Sequence, residues 1–409
     1  MKLEIDSARL TRELESLAAF SDSPAPSVTR IVYSKQDRLA RDYVKNLCAA
    51  AGLAVREDAV GNTFARWEGA DPALPAVATG SHIDAIPHAG RYDGTVGVLG
   101  GLEAIRALQR AGATPRRSIE LLIFTAEEPT RFGIGCFGSR LLAGVLDPAA
   151  LRDSAGRTLD DWRSEAGYSG DAAGVRLRPE HYAAFVELHI EQGPLLEREA
   201  IPIGVVTAIA APASMRVEIT GEGGHAGAVL MPERHDALCA AAEVVLAVEH
   251  AARSTGAPDT VGTVGICEVF PGAVNSIPGR VRLTIDARDI DAARLESVVA
   301  EIEEALRRVG TERGVTIQPE KLNHDCPAAC DPAIVASLER AAAAHGLPHR
   351  RMVSRAYHDS LFLSRIAPTA MLFIPCHDGV SHRPDEYAAP EAIAAGALVL
   401  AETLRDLAS

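Results

Sequence analysis

Aromatic residues are scarce in this sequence, at 4% of its 409 positions, whereas alanine is abundant. We therefore expect a core built from aliphatic side chains. Hydrophobic residues make up 47% and charged residues 23%, which is the composition of a soluble globular protein. The length exceeds that of one typical hydrophobic core and predicts two domains.

Long hydrophobic runs and concentrated basic charge are also lacking. The first twenty residues alternate charged and apolar side chains, unlike a signal peptide, and no stretch reaches membrane-spanning length. The formal net charge is −14, and nucleic acids and anionic membranes both require clustered lysine and arginine. We therefore expect a cytoplasmic protein with a small-molecule substrate and neither of those partners.

The seven cysteines are an odd number and lie scattered in apolar surroundings, which indicates reduced thiols. Cys326 and Cys330 stand close to His324, which suggests half of a zinc knuckle. A second pair of soft ligands is missing, so the pattern favours unligated cysteines.

Helical and strand patterns alternate over the first 210 residues. This alternation predicts a mixed, mostly parallel α/β sheet covered by helices. The expected helices span 7–20, 36–52 and 94–111, and the expected strands span 54–57, 62–68, 75–80 and 118–125.

The pattern changes between residues 211 and 326, where the order of elements becomes βαββαβ. That order is typical of a ferredoxin-like α+β unit. Strand patterns of the first kind resume near residue 351. We therefore predict one domain made of residues 1–210 and 327–409, with a second domain, residues 211–326, inserted into it.

Histidines and carboxylates that could bind a metal follow strand patterns or lie in glycine-rich turns of the first domain. Taken singly, each is more commonly a cap, turn or surface residue. Open α/β sheets, however, place their sites at the carboxyl ends of strands, and these residues share that position. Together they predict a two-metal hydrolytic site. The set comprises His82, Asp84, Asp93, Glu127, Glu128, His189 and His382.

Two carboxylates of this set have positions that suggest distinct roles. His82 and Asp84 are two residues apart, so in an extended segment Asp84 can accept the second ring N–H of a metal-binding His82. Asp93 opens a helix pattern, where it can bridge two metals with its two oxygens or act as a helix N-cap.

Glu127 and Glu128 are adjacent and, in an extended segment, point to opposite sides. One is expected to bind metal, and the other to take a proton from an attacking water molecule and pass it to a leaving nitrogen. His189 and His382 complete the two metal shells.

Four polar residues are candidates for substrate binding. His189 follows the strand pattern AAFVEL, and Gln192, like Glu191, is a polar residue near it in an otherwise apolar context. His225, Asn275 and Arg288 belong to the inserted domain, where His225 is suited to stabilising an oxyanion. Arg288 and Asn275 can hold a carboxylate, and we expect Arg288 to pair with the ligand alone.

The motifs resemble the hydantoinase/carbamoylase branch of the aminoacylase and carboxypeptidase superfamily, a group of dinuclear metal amidohydrolases. His189 is discriminating because related peptidases usually have Asp or Glu there. Within the branch, the chain is most similar to ureidoglycolate amidohydrolases, notably in HAGAVLMP, PGAVNSIPG and SRAYHDSLFLSRIAP. The motifs in family order are GSHIDAIPHAGRYDG, TAEEPTRFG, ELHIEQGP, GGHAGAVLMPERHDA, NSIPG with DARD, YHDS and DGVSHRPDEY.

The resemblance implies roles for the residues that match. Glu127 would be the general base, Asp84 the orienting residue and Asp93 the bridging ligand. His225 would reach the site from the partner subunit of a homodimer formed through the inserted lid and dimerisation domain. Two divalent ions are implied for each subunit, manganese or zinc, with cobalt or nickel as alternatives. The implied metal ligands are His82, Asp93, Glu128, His189 and His382.

One segment departs from the wider branch. Carbamoylases and allantoate amidohydrolases commonly have glycine where this chain has Arg355 and Tyr357. The two larger side chains remove volume, and Tyr357, a further candidate for substrate binding, adds a hydroxyl. This favours a small ureido acid, ureidoglycolate, whose terminal ureido C–N bond would be hydrolysed with release of ammonia and CO2. An N-carbamoyl-L-amino acid and allantoate are the alternatives. A non-catalytic binding protein is disfavoured because the base and all ligands are present.

Overall fold

The computed structural model describes residues 3–409. Its α-helices are α1 (Ser7–Ala18), α2 (Lys35–Ala50), α3 (Thr95–Arg110), α4 (Phe137–Ala143), α5 (Leu159–Glu165), α6 (Leu195–Arg198), α7 (Ala237–Ser254), α8 (Ala292–Arg313), α9 (Pro332–Ala344), α10 (Asp359–Leu363) and α11 (Pro390–Leu407). Short 3-10 turns lie at Pro148–Ala150, Ala173–Val175, Met231–Glu233 and His377–Gly379. None of the helices between residues 3 and 409 is long and apolar enough to cross a membrane.

The strands alternate with these helices along most of the chain. They are β1 (Val28–Arg30), β2 (Ala54–Glu57), β3 (Thr63–Trp67), β4 (Ala76–His82), β5 (Ala85–Ala89), β6 (Ile119–Phe124), β7 (Tyr182–Ile190), β8 (Ile203–Ile209), β9 (Ala211–Thr220), β10 (Gly224–His225), β11 (Val261–Phe270), β12 (Ser276–Ile277), β13 (Arg280–Asp289), β14 (Thr316–His324), β15 (Ala328–Ala329), β16 (His349–Ser354) and β17 (Thr369–Ile374).

The chain divides into two compact units. The first contains residues up to 207, 330–352 and 358–409, and the second contains 208–329 and 353–357. The short segment 353–357 thus groups with the second unit, whereas the sequence analysis assigns it to the first domain. Tyr357 is part of this segment and therefore belongs to the second unit.

The first unit is built on a mixed sheet in the order β8-β17-β7-β4-β6-β3-β2. The four central strands β17, β7, β4 and β6 are parallel, whereas β8, β3 and β2 are antiparallel to their neighbours. Every residue of β4, β6 and β17 is buried, as expected of parallel strands covered on both faces. The predicted mixed α/β sheet is therefore confirmed.

Helix α3 lies unusually close to the sheet. A Cβ atom on its Gly97 would be 2.3 Å from the carbonyl oxygen of Leu188, so glycine is needed for the approach. Gly100 meets the side chain of Leu188 in the same way, at 2.8 Å. This close packing against β7 brings the start of α3, and Asp93 just before it, to the carboxyl end of the parallel strands.

The sequence predicts most of these elements with small shifts at their ends. Strand β4 continues to His82, which therefore ends the strand instead of lying on the exit loop. The N-cap of α3 is Gly94, so Asp93 precedes the cap and the N-cap alternative for its side chain is wrong. The elements outside the predicted set include strands β1, β5 and β8 and helices α4, α5, α9 and α10.

The second unit contains an antiparallel sheet in the order β11-β13-β9-β14. Along β13, alternate residues are buried, so that one face of the sheet meets the core. Helices α7 and α8 supply the other side of this core, which is aliphatic throughout. A two-stranded ribbon, β10 with β12, belongs to the same unit.

Candidate metal centre

The predicted metal ligands of the first unit meet where its four central parallel strands end. His82 is the last residue of β4, and His189 is the second-last residue of β7. Glu127 and Glu128 follow β6, and His382 lies on the loop after β17. Neighbouring parallel strands end at the same edge of a sheet, which explains why these distant positions converge.

Asp93 lies at the middle of this group and faces it with both oxygens. Its Oδ1 is 3.4 Å from Nε2 of His82 and 3.1 Å from Nε2 of His189. Its Oδ2 is 3.2 Å from Nε2 of His382, which also lies 3.3 Å from Oε1 of Glu128. The potential ligands thus form two groups of three that share one carboxylate.

The spacing of these atoms fits two bound cations. Tetrahedral bonds of about 2.1 Å place neighbouring ligand atoms roughly 3.4 Å apart, close to the distances between the histidine nitrogens and Asp93. Asp93, Glu127 and Glu128 are buried residues. Each ion pair described for them is with a histidine. Buried negative charge of this density requires cations, which two divalent metals would supply.

Backbone carbonyls orient two of the imidazoles. Nδ1 of His82 lies 3.1 Å from the carbonyl oxygen of Asp84, and Nδ1 of His189 lies 2.9 Å from that of Ile190. A carbonyl oxygen only accepts hydrogen bonds, so each Nδ1 carries the proton and each Nε2 keeps its lone pair for a metal. The amide of Gly94 donates to Nε2 of His189 at 3.1 Å, which agrees with this assignment.

The carboxylate of Asp84 has a different partner from the one the sequence suggests. Its Oδ1 is 3.6 Å from Nδ1 of His82, which is farther than the 3.1 Å between that nitrogen and the backbone carbonyl oxygen of Asp84. Its two oxygens instead accept the backbone N–H groups of Glu127, at 3.2 Å, and Glu128, at 3.0 Å. Asp84 therefore holds the turn that presents both glutamates.

Glu127 and Glu128 point to different partners. Glu128 belongs to the group with His382, whereas Oε2 of Glu127 is 3.8 Å from Nε2 of His82. Oε1 of Glu127 accepts a hydrogen bond from Sγ of Cys136 at 3.3 Å. Cys136 was not among the predicted site residues, because it lies three positions beyond the motif TAEEPTRFG and thiols were not expected to take part in the site.

The electrostatics of the centre reflect crowded negative charge. Burial raises the pKa of Glu127 well above its ordinary value, and Glu128 adds to the effect although His82 opposes it. Burial would also raise the pKa of Asp93, but the three histidines that face its carboxylate hold this pKa well below its usual range. Hydrogen bonds to Asp93 and Glu128 raise the pKa of His382 to about 11. Positive charge is therefore strongly stabilised here.

Gln192 also belongs to the centre. Its Nε2 donates to Oδ2 of Asp93 at 2.8 Å, and its backbone is in the left-handed region with φ +56°. Gln192, which the sequence predicts to contact substrate, thus holds the proposed metal ligand Asp93 with its side-chain N–H. Its Oε1 is buried without a hydrogen-bond partner among residues 3–409 and is the atom that remains available as an acceptor.

A second buried polar layer lies next to His189. Glu187, two residues earlier on the same face of β7, accepts hydrogen bonds from Ser81 at 2.7 Å and from the hydroxyl of Ser360 at 2.5 Å. The ring of His358 is 4.5 Å from that of His189, centroid to centroid. These residues were not predicted, although the period of two along β7 marks Glu187 as facing the same way.

The remaining predicted residues belong to the second unit. The pairing of β10 with β12 places His225 beside the turn that carries Asn275, whose carbonyl accepts the amide N–H of Ala226 at 2.9 Å. Both His225 and Asn275 are exposed.

Arg288 has a partner within its own strand. Its Nε donates to Oδ1 of Asp286 at 2.7 Å, so the expectation that it pairs with a ligand alone is wrong. Its Nη1 reaches the carbonyl oxygen of Arg355 at 3.4 Å, which places Arg288 beside the segment that carries Tyr357.

Comparison with known proteins identifies the family. A family model described as Peptidase family M20/M25/M40 matches residues 78–406. The chain belongs to this family. It is 54% identical to a ureidoglycolate hydrolase of Arabidopsis thaliana, with 99% of this chain and 87% of that protein covered. It is 39% identical to an N-carbamoyl-L-amino acid amidohydrolase of Geobacillus stearothermophilus, with 99% of both covered.

A solved structure is similar over nearly the whole chain. The crystal structure of AtUAH in complex with glyoxylate has a TM-score of 0.89 and 53% identity, with 99% of this chain and 98% of that chain covered. Together with the carbamoylase relative, this confirms the resemblance to the hydantoinase/carbamoylase branch of M20-type hydrolases.

Proposed function

We propose that this protein hydrolyses the terminal ureido C–N bond of ureidoglycolate in a two-metal centre, with release of ammonia and CO2. The observation that carries the chemistry is the pair of ligand groups that share Asp93, with Glu127 beside them and outside both groups. Ureidoglycolate is favoured by the 54% identity to the Arabidopsis thaliana ureidoglycolate hydrolase. The chain acts as a hydrolase of amide-type C–N bonds in either this or the alternative assignment below.

The metal ligands follow from the two groups. His82, His189 and one oxygen of Asp93 would hold one divalent ion, manganese or zinc. Glu128, His382 and the other oxygen of Asp93 would hold the second. When bound, the ions would polarise the substrate carbonyl and make water a stronger nucleophile.

The protein's own contribution to the reaction centres on Glu127. Cys136 binds its Oε1, so Oε2 is the oxygen on the side of His82 and the proposed ions. Glu127 is therefore suited to take a proton from the attacking water molecule and deliver it to the leaving nitrogen, which departs as ammonia. Asp84 would keep Glu127 in place through the backbone N–H it accepts.

We further propose that the second unit is a ferredoxin-like lid that binds the substrate carboxylate and forms a homodimer. Its element order and four-stranded antiparallel sheet support the fold assignment. Arg288 would hold the carboxylate, oriented by Asp286, and Asn275 would add a hydrogen bond. His225, which is exposed, would stabilise the developing oxyanion in the partner subunit's site.

The alternative substrate is an N-carbamoyl-L-amino acid, since the Geobacillus stearothermophilus relative covers the chain equally well at lower identity. Allantoate is a third candidate. We propose that the segment with Arg355 and Tyr357 borders the substrate, where these two side chains would occupy volume that both bulkier substrates need. A cytoplasmic location is proposed from composition and from the seven unpaired cysteines.

Turnover of a small substrate panel tests the proposal. The purified protein, loaded with Mn²⁺, would be assayed for ammonia release from ureidoglycolate, allantoate, N-carbamoyl-alanine and N-carbamoyl-β-alanine. Glu127→Gln from the same preparation scheme controls for contaminating hydrolases. We expect the highest kcat/KM for ureidoglycolate. A higher value for an N-carbamoyl amino acid would replace ureidoglycolate by the alternative, and no turnover of any of the four would refute the assignment.

A further inference from the structure

His382 differs from the other proposed metal ligands in how it is held. His82 and His189 lie within strands of the central sheet, whereas His382 lies on a loop and has a backbone φ of +59°. Its side chain is 46% exposed, compared with 1% for that of His189. The local chain therefore does little to fix this imidazole, and its position must come from contacts of the loop.

Glu386 makes those contacts. It is 4% exposed, and its Oε1 accepts the backbone N–H groups of Tyr92, at 2.7 Å, and Asp93, at 3.1 Å. Its Oε2 accepts from the hydroxyl of Ser381 at 2.9 Å, directly before His382. One carboxylate thus ties the loop of His382 to the backbone of the proposed bridging ligand.

Ser381 extends this link to the bridging carboxylate itself. Its Oγ lies 2.9 Å from Oδ2 of Asp93, the oxygen that faces His382. Gly90 allows Glu386 to approach, since a Cβ atom there would lie 2.3 Å from Cβ of Glu386. The contacts therefore converge on the group formed by Asp93, Glu128 and His382.

We propose that Glu386 is a positioning residue for the second metal, the one assigned to Asp93, Glu128 and His382. It touches neither substrate nor metal and acts by fixing the distance between Asp93 and His382. The inference rests on the proposed two-metal function. It adds the prediction that Glu386 affects the affinity for one of the two ions and not for the other. Removing a hydrogen-bond partner of a metal ligand typically lowers metal affinity about 10- to 100-fold.

The test measures Mn²⁺ binding to the whole 409-residue chain by isothermal titration calorimetry and by metal analysis after dialysis. Glu386→Ala should weaken one of the two ions about 10- to 100-fold and leave the other near its wild-type affinity. Glu386→Gln should retain both ions, because its amide oxygen still accepts both backbone N–H groups and its NH2 group can donate to Ser381. Ser381→Ala should weaken the same ion as Glu386→Ala, by less.

Glu103→Ala is the matched control for lost buried hydrogen bonds. Glu103 is fully buried in the same unit and binds Arg9 at 2.6 Å and Arg110 at 2.8 Å, outside the candidate metal centre. Two unchanged ions in Glu386→Ala would overturn the inference, as would equal loss in Glu103→Ala or in Glu386→Gln. A wild-type protein that binds fewer than two ions would refute the proposed function itself, which separates the two failures. Ser381→Ala keeps the test available if Glu386→Ala does not fold.

Discussion

The thiol of Cys136 donates a hydrogen bond to Oε1 of Glu127 over 3.3 Å, while Oε2 of this glutamate lies 3.8 Å from Nε2 of His82 in the candidate metal centre. The adjacent Glu128 has no such restraint and lies with His382. Two neighbouring residues of the same type are thereby separated into a proposed base and a proposed ligand. The sequence does not show which glutamate has which surroundings. Because the surroundings differ, substitutions of Glu127 and Glu128 should have different effects on turnover and metal binding.

Glu127→Gln should keep both metals and lose most turnover, by about 10²- to 10⁴-fold, because a general base is removed. Glu128→Gln is its partner experiment and should lose one ion. Metal analysis and kcat measurements on both proteins check this pair of outcomes. If Glu127→Gln lost a metal but stayed active, the roles of the two glutamates would have to be exchanged.

Gly94→Ala should disrupt the ion assigned to His82 and His189. Gly94 has φ +64°, and a Cβ atom there would be 2.4 Å from Nε2 of His82. Gly112→Ala controls for backbone strain, because Gly112 has φ +73° with no atom within 4 Å of its Cβ position. Both variants should unfold at lower temperature, but only Gly94→Ala should lose metal. Equal metal content in the two proteins would contradict the assignment of His82.

Arg288→Ala should raise KM for a carboxylate substrate about 10- to 100-fold, as expected for a lost charge-assisted hydrogen bond, and leave metal content unchanged. Arg282→Ala is a suitable control, since Arg282 lies in the same strand and pairs with Glu268 at 3.0 Å. Asp286→Asn should give an intermediate rise in KM by loosening the guanidinium. Wild-type kinetics of Arg288→Ala would remove this residue from the site.

Mixing His225→Ala with Glu127→Gln tests whether His225 acts across a dimer. Each protein alone should be inactive, whereas a heterodimer would contain one intact site. Random exchange of subunits should therefore restore about a quarter of wild-type activity. Mass spectrometry of the mixture verifies exchange. Confirmed exchange without recovered activity would place His225 in its own subunit's site or outside the chemistry.

Tyr357→Gly, alone or with Arg355→Gly, should shift substrate preference from ureidoglycolate toward allantoate. An aromatic ring in a pocket opposes a bulkier ligand by about 1–3 kcal/mol, which corresponds to about a 5- to 150-fold change in relative kcat/KM. The measurement is the ratio of kcat/KM for the two substrates in wild type and variant. An unchanged ratio would separate this segment from substrate selection.

The sequence by itself determined the mixed α/β sheet and the family, because buried parallel strands leave continuous apolar runs and the ligand motifs follow them. It also singled out His82, Asp93 and His189 before their proximity was visible. His82 and His189 stand at or near strand ends and Asp93 stands before a helix, and the local pattern of residues shows both positions without knowledge of distant contacts.

Only the tertiary structure decided how the chain supports these residues. Cys136 meets Glu127, and Glu386 meets Asp93, through contacts between segments that are remote in sequence or lie on irregular loops. Arg288 pairs with Asp286 rather than remaining free, which depends on the side-chain rotamers within β13. Local periodicity carries no signal for such contacts, because a hydrogen bond between loops is set by how the whole sheet and its helices pack.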